Sequence, residues 1–422
     1  MWSRVTAQLT RYAVPVYMVG GSVRDALCGV KGQDLDLAVD GKAIDLGRAL
    51  ADALGAAFYV MDREHDVCRV IVQHEGSRHH VDLAGLRAQG ILADLAARDL
   101  TLNAMGISLA RPWGPLLDPT GGLEDLATGT VRHAYARAFI DDPVRLLRAA
   151  RVAADMHFHL HPATRELLLQ QRELLANASR ERVRDELLRL LLAPQAAGIC
   201  LAQDLGLLQI ALAPLTATEL AGGIALLGAL LEHLREPTIQ RLSLQWSQAY
   251  TTGHTRGQMV ALAALVSQGS TEHVRVALAS LRLSDRERSR VLDVLGSWGS
   301  PSWQEYAHID PLTAHRYYRR WGSGGADGAA LVAVGHGTSA SGVAAAERML
   351  GFWLDHQAQV IAPQPLLTGR ELVQDLGLAP GAQVGETLRI LTEHQVQGLI
   401  SSPGEALALA RRLVSEFTTR QV

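Results

Sequence analysis

Nine residues separate Arg24 from Asp34 in the stretch VYMVGGSVRDALCGVKGQDLDLAV (16–39), and that short gap constrains the fold more than any other feature of the chain. Two apolar runs, VYMV and DLDLAV, read as strands. Between them GGSVRDALCG reads as a turn and a short helix, with Ser22 as N-cap, Asp25 at the third helical position and Gly29 at the close. Free N–H groups at a helix start welcome phosphate, and Gly20 and Gly21 let it approach the backbone. Arg24 adds a charged donor beside them. Residues two apart in a strand share a face, so Asp34 and Asp36 present paired carboxylates while Leu35 and Leu37 turn to the core. Two close carboxylates repel unless a cation separates them, and Mg²⁺ takes carboxylate and phosphate oxygens together. A strand–glycine–helix turn alone is more often structural than functional, and an edge strand can carry two solvated aspartates. With so short a gap, however, turn and acid pair must be neighbours, and together they point to a metal–phosphate site. The pattern is neither a Walker loop, which needs Gly-Lys-Ser/Thr, nor G-x-G-x-x-G.

Residues 14–110 carry further short strand-like runs, AFYVM, CRVIV, HHVDLAG and TLNAMGISLA, with one amphipathic helix, KAIDLGRALADALG, closed by Gly55. They predict an α+β unit on a mainly antiparallel five-stranded sheet. HHVDLAGLR offers a third acid for two-metal phosphoryl transfer, Asp82, at the start of its strand, with Arg87 at the end. From about residue 134 the strand signals stop. Leu- and Ala-rich helical spacing then runs to the end, broken near Pro214, Pro237, GSWGSPS (296–302) and WGSGGADG (321–328). Thr368 with Glu371, and Ser402 with Pro403 and Glu405, read as capping boxes. Asp142-Pro143 reads as N-cap and first residue of another helix, along which Arg145, Arg148 and Arg151 fan over one side.

The net charge of −3 does not advertise nucleic-acid binding. Of 40 basic residues only Lys31 and Lys42 are lysines, a bias most simply read as a GC-rich genome, although Arg also suits bidentate phosphate contacts. No run approaches about 18 apolar residues, so no membrane span is expected. The N-terminus lacks the apolar segment of a signal peptide, and three scattered cysteines suit a reducing cytoplasm.

GGSVRDALCG…DLDLAV resembles the signature of the class II nucleotidyltransferases, which comprise the CCA-adding, CC-adding and A-adding tRNA enzymes and the bacterial poly(A) polymerases. Further stretches resemble that family in its own order: ARDLTLNAMGI (97–107), LLDPTGGLEDLATGTVR (116–132), FIDDPVRLLRAARVAAD (139–155), SRERVRDELLRLLL (179–192) and the tail PLLTGRELVQDLGLAPGAQVGETLRIL (365–391). The resemblance implies a catalytic head (1–132), a helical neck (133–195), a helical body with a degenerate HD-like region (196–350) and an RNA-binding tail (351–422). It implies that Asp34 and Asp36 hold Mg²⁺, two ions acting during catalysis, with Asp82 as third acid. Gly20, Gly21, Arg24, Arg98, Asp99, Asn103, Asp142, Arg145, Arg148 and Arg151 would form the nucleotide site. The 3′-hydroxyl of a tRNA lacking all or part of its CCA end would attack the α-phosphate of CTP, or of ATP in a CCA-adding enzyme, and release pyrophosphate. Cytosine and adenine both show an amino donor beside a ring-nitrogen acceptor, so an Asp acceptor next to an Arg donor fits both and mismatches uracil and guanine.

Three departures matter. Ala97 stands where the family usually has the first of two arginines. Ser267-Gln268 stand near where an intact His-Asp pair is expected, so no metal-dependent phosphohydrolase activity is predicted. The segment LAGLRAQGILADLAA (83–97) is about half the length of the flexible loop that the family associates with switching from C to A addition. That shortness favours a CC-adding enzyme over a full CCA-adding one, with A-adding and poly(A) activity behind.

Overall fold

Strand-forming runs in the first third of the chain assemble into a mainly antiparallel sheet, as expected, but of seven strands instead of five and with one parallel pair. The computed structural model describes residues 2–419 apart from 31, 33, 111–112, 193–195, 301–302 and 304–308. Pro301 and Ser302 of the GSWGSPS break therefore lie outside the described residues. The strands are β1 (Val16–Val19), β2 (Asp34–Val39), β3 (Ala57–Asp62), β4 (Val67–His74), β5 (Ser77–Gly85), β6 (Gly106–Ser108) and β7 (Leu116–Leu117). Their order is β3-β4-β5-β2-β1-β6-β7. Helices α1 (Trp2–Leu9), α2 (Gly21–Leu27), α3 (Ala43–Leu54), α4 (Ile91–Ala96) and α5 (Gly122–Ala127) connect or flank them. The parallel element is β2 beside β5, in register Asp34↔His80, Asp36↔Asp82 and Ala38↔Ala84. It arises because α3 carries the chain across one face before the β3–β4–β5 meander returns it alongside β2.

Alternation divides the sheet into two faces. Leu35, Leu37, Val39, Cys68, Val70, Val81 and Leu83 are buried with Leu46 and Leu50 of α3 in one apolar cluster. The opposite face carries Asp34, Asp36 and Asp82. The start of α3 is capped by a residue distant in sequence: Asp66 accepts from the N–H groups of Ala43 and Ile44 at 2.7 and 3.0 Å.

Beyond the sheet come α6 (Ala138–Asp141), α7 (Arg145–Asp155), α8 (Pro162–Gln171) and α9 (Arg180–Leu190). Leu146, Leu147, Ala149, Ala150 and Ala153 bury one side of α7, which leaves its three arginines on the other. Ser179 caps α9, accepting from the Arg182 N–H.

The chain divides into two compact units, Met1–Ala211 and Leu212–Val422. The second is nearly all helical. Capping boxes start the helices at Ala217, Arg256, Asp285 and Gly369. The expected pair at Ser402 and Glu405 is also present. Contrary to the expectation of no candidate span, the segment Ala217–Arg235 is long and apolar enough to cross a membrane by length and composition. One side of it packs inward. Leu220, Leu226, Leu227 and Leu230 are buried, and Gly223 abuts the Leu265 carbonyl so closely that a Cβ there would lie 1.8 Å from its oxygen.

Candidate active site

The acid pair occupies the sheet face opposite α3. Asp34 opens β2, exposed, with Oδ1 3.0 Å from His80 Nδ1. Asp36 is half-buried one pleat further on. Its backbone N–H donates to Ser22 Oγ at 2.7 Å, and that hydroxyl donates to the Asp34 carbonyl at 3.4 Å. Ser22 is therefore not the N-cap. α2 already begins at Gly21, with Gly20 before it and no side-chain cap. The Ser22 hydroxyl instead ties the helix start to β2, and the first turn of α2 keeps no side chain over its N–H groups.

Asp82 lies in the middle of β5, not at its start, directly between Asp36 on β2 and Arg69 on β4. Arg69 Nε and Nη2 donate to its two carboxylate oxygens at 2.5 and 2.6 Å. The expected third acid thus carries its own counter-charge. Burial first, then the neighbouring Asp82 and Asp34 charges, raise the pKa of Asp36 above the usual carboxylate range, against the opposing pull of Arg98. Such a carboxylate is stabilised in its charged form by a cation. Among the described residues no group of three or more His, Cys, Asp or Glu is arranged to hold an ion unaided. Two aspartates with open coordination suit Mg²⁺, which completes its octahedron with water and phosphate oxygens.

Beside Asp36 the glycine turn forms a cradle. Gly20 has φ +67°, and a Cβ there would sit 3.1 Å from Arg98 Nη1 and 3.8 Å from Asp36 Oδ2. Arg98 Nη2 donates to Asp94 at 3.1 Å, while its Nε is buried without a partner. The Arg98 Nη1 beside this turn is a charged donor suited to a phosphate oxygen.

A continuous network fixes the cradle from behind. Arg24 Nη1 donates to Asn103 Oδ1 at 2.9 Å, and Asn103 Nδ2 donates to Asp99 Oδ1 at 3.2 Å. Arg148 Nη1 donates to Asp99 Oδ2 at 3.2 Å and its Nε to Glu186 at 3.1 Å. Arg151 Nε donates to the other Glu186 oxygen at 2.9 Å. Burial would raise Asp99 and Glu186; Arg148 with the Asn103 and Leu100 hydrogen bonds outweighs it at Asp99, Arg148 and Arg151 outweigh it at Glu186, and both are held below the usual range. Asp99 and Asn103 are thereby positioning residues for Arg24 and Arg148. Glu186, the hub of the network, was not singled out from the sequence. Its only signal was its place in the DEL of SRERVRDEL.

The base-selecting candidates sit around a cavity of about 260 Å³ lined by Arg87, Arg98, Asp142, Arg145, Arg148 and Arg182, among others. Asp142 is not the N-cap of α7. It is extended (φ −150°, ψ 95°), and the helix begins only at Arg145. Its oxygens are instead gripped by Arg182 Nη1 and Nη2 at 3.0 and 2.7 Å, with Arg145 Nε 3.6 Å away. Burial opposes these pairings, but the arginines prevail and keep Asp142 ionised below its usual range. Arg145 is steadied by Tyr135 Oη at 3.1 Å and the Ala138 carbonyl at 3.3 Å. Arg182 of α9 is thus part of this pocket.

Three comparisons bear on this arrangement. Residues 16–132 match the family described as Poly A polymerase head domain, and residues 157–220 match Probable RNA and SrmB-binding site of polymerase A. The chain is 33% identical over 403 residues to a CC-adding tRNA nucleotidyltransferase of Geobacter sulfurreducens, covering 92% of this chain and 90% of the relative. The chain belongs to the class II tRNA nucleotidyltransferase family. It is a nucleotidyltransferase. An A-adding tRNA nucleotidyltransferase of Deinococcus radiodurans is 32% identical over 443 residues, covering 94% of this chain and 95% of that one. Identity alone therefore does not separate C from A addition. The fold is that of a CCA-adding enzyme solved with CTP, with a TM-score of 0.71 over 96% of this chain and 93% of that one, at 21% identity.

Within this member of the family the connection from β5 to Arg98 is short and tied down. The Leu86 N–H donates to the Val39 carbonyl at 3.1 Å and the Arg87 N–H to Asp94 Oδ1 at 3.0 Å. Leu95 of α4 is fully buried. One buried carboxylate, Asp94, therefore holds both ends of the segment, Arg87 and Arg98.

Proposed function

We propose that this enzyme adds two cytidines to the 3′ end of tRNA from CTP, without a nucleic-acid template, and stops. Arg24, Arg98 and the open first turn of α2 hold the triphosphate. Asp34 and Asp36 hold Mg²⁺, which supplies charge neutralisation on the phosphates. The terminal 3′-hydroxyl of the tRNA attacks the α-phosphate, forming the new phosphodiester and releasing pyrophosphate. Asp142, kept ionised by Arg182, accepts from the cytosine amino group, and Arg145 donates to the adjacent ring nitrogen. Uracil would set its carbonyl against the Asp142 oxygens, and its N–H against Arg145.

The observation that carries arrest after CC is the anchored 86–97 segment. A loop that must rearrange to admit adenine needs slack. Here Asp94 ties both ends and Leu95 is buried. Full CCA addition is the second reading, because the Asp142–Arg145 edge also suits adenine; the A-adding relative keeps single-A addition and poly(A) tailing behind it. Incubating tRNA that lacks its 3′ end with CTP, with ATP and with both separates these. Growth by two nucleotides with CTP, and no further step when ATP is added, supports CC addition. A third nucleotide with ATP refutes it in favour of CCA addition. Extension only of CC-ended tRNA by one A, or long A tails, refutes both.

A further inference from the structure

The acid pair belongs to a row that crosses half the sheet. Tyr59 on β3 lies opposite Arg69 on β4, Arg69 opposite Asp82 on β5, and Asp82 beside Asp36 on β2. All four are register partners and so share a face. Asp82 raises the Arg69 pKa most, through its hydrogen bonds, with Tyr59 a further contributor, so the phenol adjoins the pair. Phe58 and Val60, the strand neighbours of Tyr59, face the other way, Phe58 under Arg48 of α3. Tyr59 and Met61 remain 43% and 48% exposed at the edge of the sheet. Large apolar side chains held open beside a charged site call for an explanation.

The approaches to Asp36 are few. The β1 side is taken by the glycine turn, Arg24 and Arg98. Asp142, Arg145 and Arg182 line the base cavity. α3 covers the opposite face. The cavity over Asp36 and Asp82 also opens on Arg148, Arg151 and Arg189; the β4–β3 half of the polar face lies on the far side of the acids from the glycine turn, where an attacking hydroxyl would stand for in-line displacement. Three strand spacings put Tyr59 about 14 Å from Asp36, a span that one nucleotide and a tyrosine side chain bridge. The other exposed aromatic among the described residues, Trp113, lies in the β6–β7 connection at the opposite edge.

We propose that Tyr59 stacks the last base of the acceptor RNA, so that the outer half of this sheet face seats the primer end beside Asp36 and Asp82. The proposal rests on the RNA-extending function above. Stacking is indifferent to base identity, which suits an enzyme whose primer terminus changes after each addition. Arg69, already neutralised by Asp82, presents its flat guanidinium next to the ring, as a stacking neighbour and not as a free phosphate ligand.

The test uses the full chain and a tRNA ending before CCA whose last base is 2-aminopurine, which loses fluorescence when stacked. The wild type is expected to quench the probe on binding. Tyr59→Ala is expected to restore most of the fluorescence and to raise KM for the RNA about tenfold, with KM for CTP unchanged. Tyr59→Phe and Tyr59→Trp are expected to keep the quench. Tyr59 is half-exposed on an edge strand, so the alanine variant should fold, and its circular dichroism and melting curve check this. Equal quenching by wild type and Tyr59→Ala overturns the proposal, as does the absence of quenching in the wild type. A Phe variant that behaves like the Ala variant also overturns it, and assigns the hydroxyl a positioning role on Arg69 instead. A wild type that binds and quenches the probe but does not extend this RNA from CTP refutes the function proposed above, not the stacking.

Discussion

Replacing Glu186 by Gln tests the network that joins the phosphate cradle to α7 and α9. The Glu186 side chain is 3% exposed and accepts from Arg148 at 3.1 Å, Arg151 at 2.9 Å and Arg189 at 3.5 Å. Removing one partner of a buried ion pair costs about 3–5 kcal/mol, because the remaining charges stay desolvated. Gln keeps the shape and one acceptor, so the lower end, about 3 kcal/mol, applies. The affected unit spans Met1–Ala211. For a domain of that size about 2–4 °C is lost per kcal/mol, so the melting temperature should fall by roughly 6–12 °C. Scanning calorimetry at pH 7 reads this. Function should follow, because Arg148 orients Asp99, Asp99 orients Asn103, and Asn103 holds Arg24; KM for CTP should rise. The pH dependence has a definite sign. Folding depresses the Glu186 pKa, so its contribution is complete above the unfolded value of about 4.3 and disappears as pH falls through the lower folded value. The gap in stability between wild type and Glu186→Gln should therefore be full at pH 7 and close in acid. A variant melting within about 2 °C of wild type, or a gap that widens in acid, refutes the reasoning.

Other outcomes follow from single contacts. Gly20→Ala places a methyl 3.1 Å from Arg98 Nη1 at a backbone φ of +67°; steady-state kinetics should show KM for CTP raised about tenfold or more, since strain and obstruction at such a turn cost about 1–3 kcal/mol. A value within twofold of wild type would exclude the cradle. Arg145→Ala removes the donor beside Asp142 and should lose discrimination between CTP and UTP by roughly 10- to 100-fold, read by competition assays. Retained discrimination would take Arg145 out of base selection. Cys68 is buried, and burial, with Asp66 and Asp82 nearby, pushes its thiol up to about 12. A thiol-exchange reagent at pH 8 should therefore label exposed Cys28 and Cys200 in the folded protein, and reach Cys68 only after unfolding. Rapid labelling of all three would contradict the packing under α3.

Local chemistry made much of this molecule legible before any fold was known. The period-2 run in DLDLAV put Leu35 and Leu37 in the core and two carboxylates on the other face, because strand alternation is a property of the backbone itself. The closing role of Gly55, and the boxes at Thr368 and Ser402, were equally readable, since each is settled within a few residues. What spacing could not decide was who meets whom across the fold. Ser22 looks like a cap by its neighbours, yet its hydroxyl serves β2. Asp142 before Pro143 has the right residue types for a helix start, but Arg182, forty residues on, takes both its oxygens and holds it extended. Asp66 caps a helix that begins before it in the chain. Asp82 was visible as a third acid, but only the parallel pairing of β2 with β5 set it beside Asp36, and only the β4 register gave it Arg69. Sequence by itself determined the faces, the turns and the chemistry of the side chains, because these depend on backbone period and local hydrogen bonds. Tertiary structure alone decided the partners of Asp36, Asp82, Asp142 and Glu186, because burial and cross-strand register are set by contacts between residues far apart in the chain.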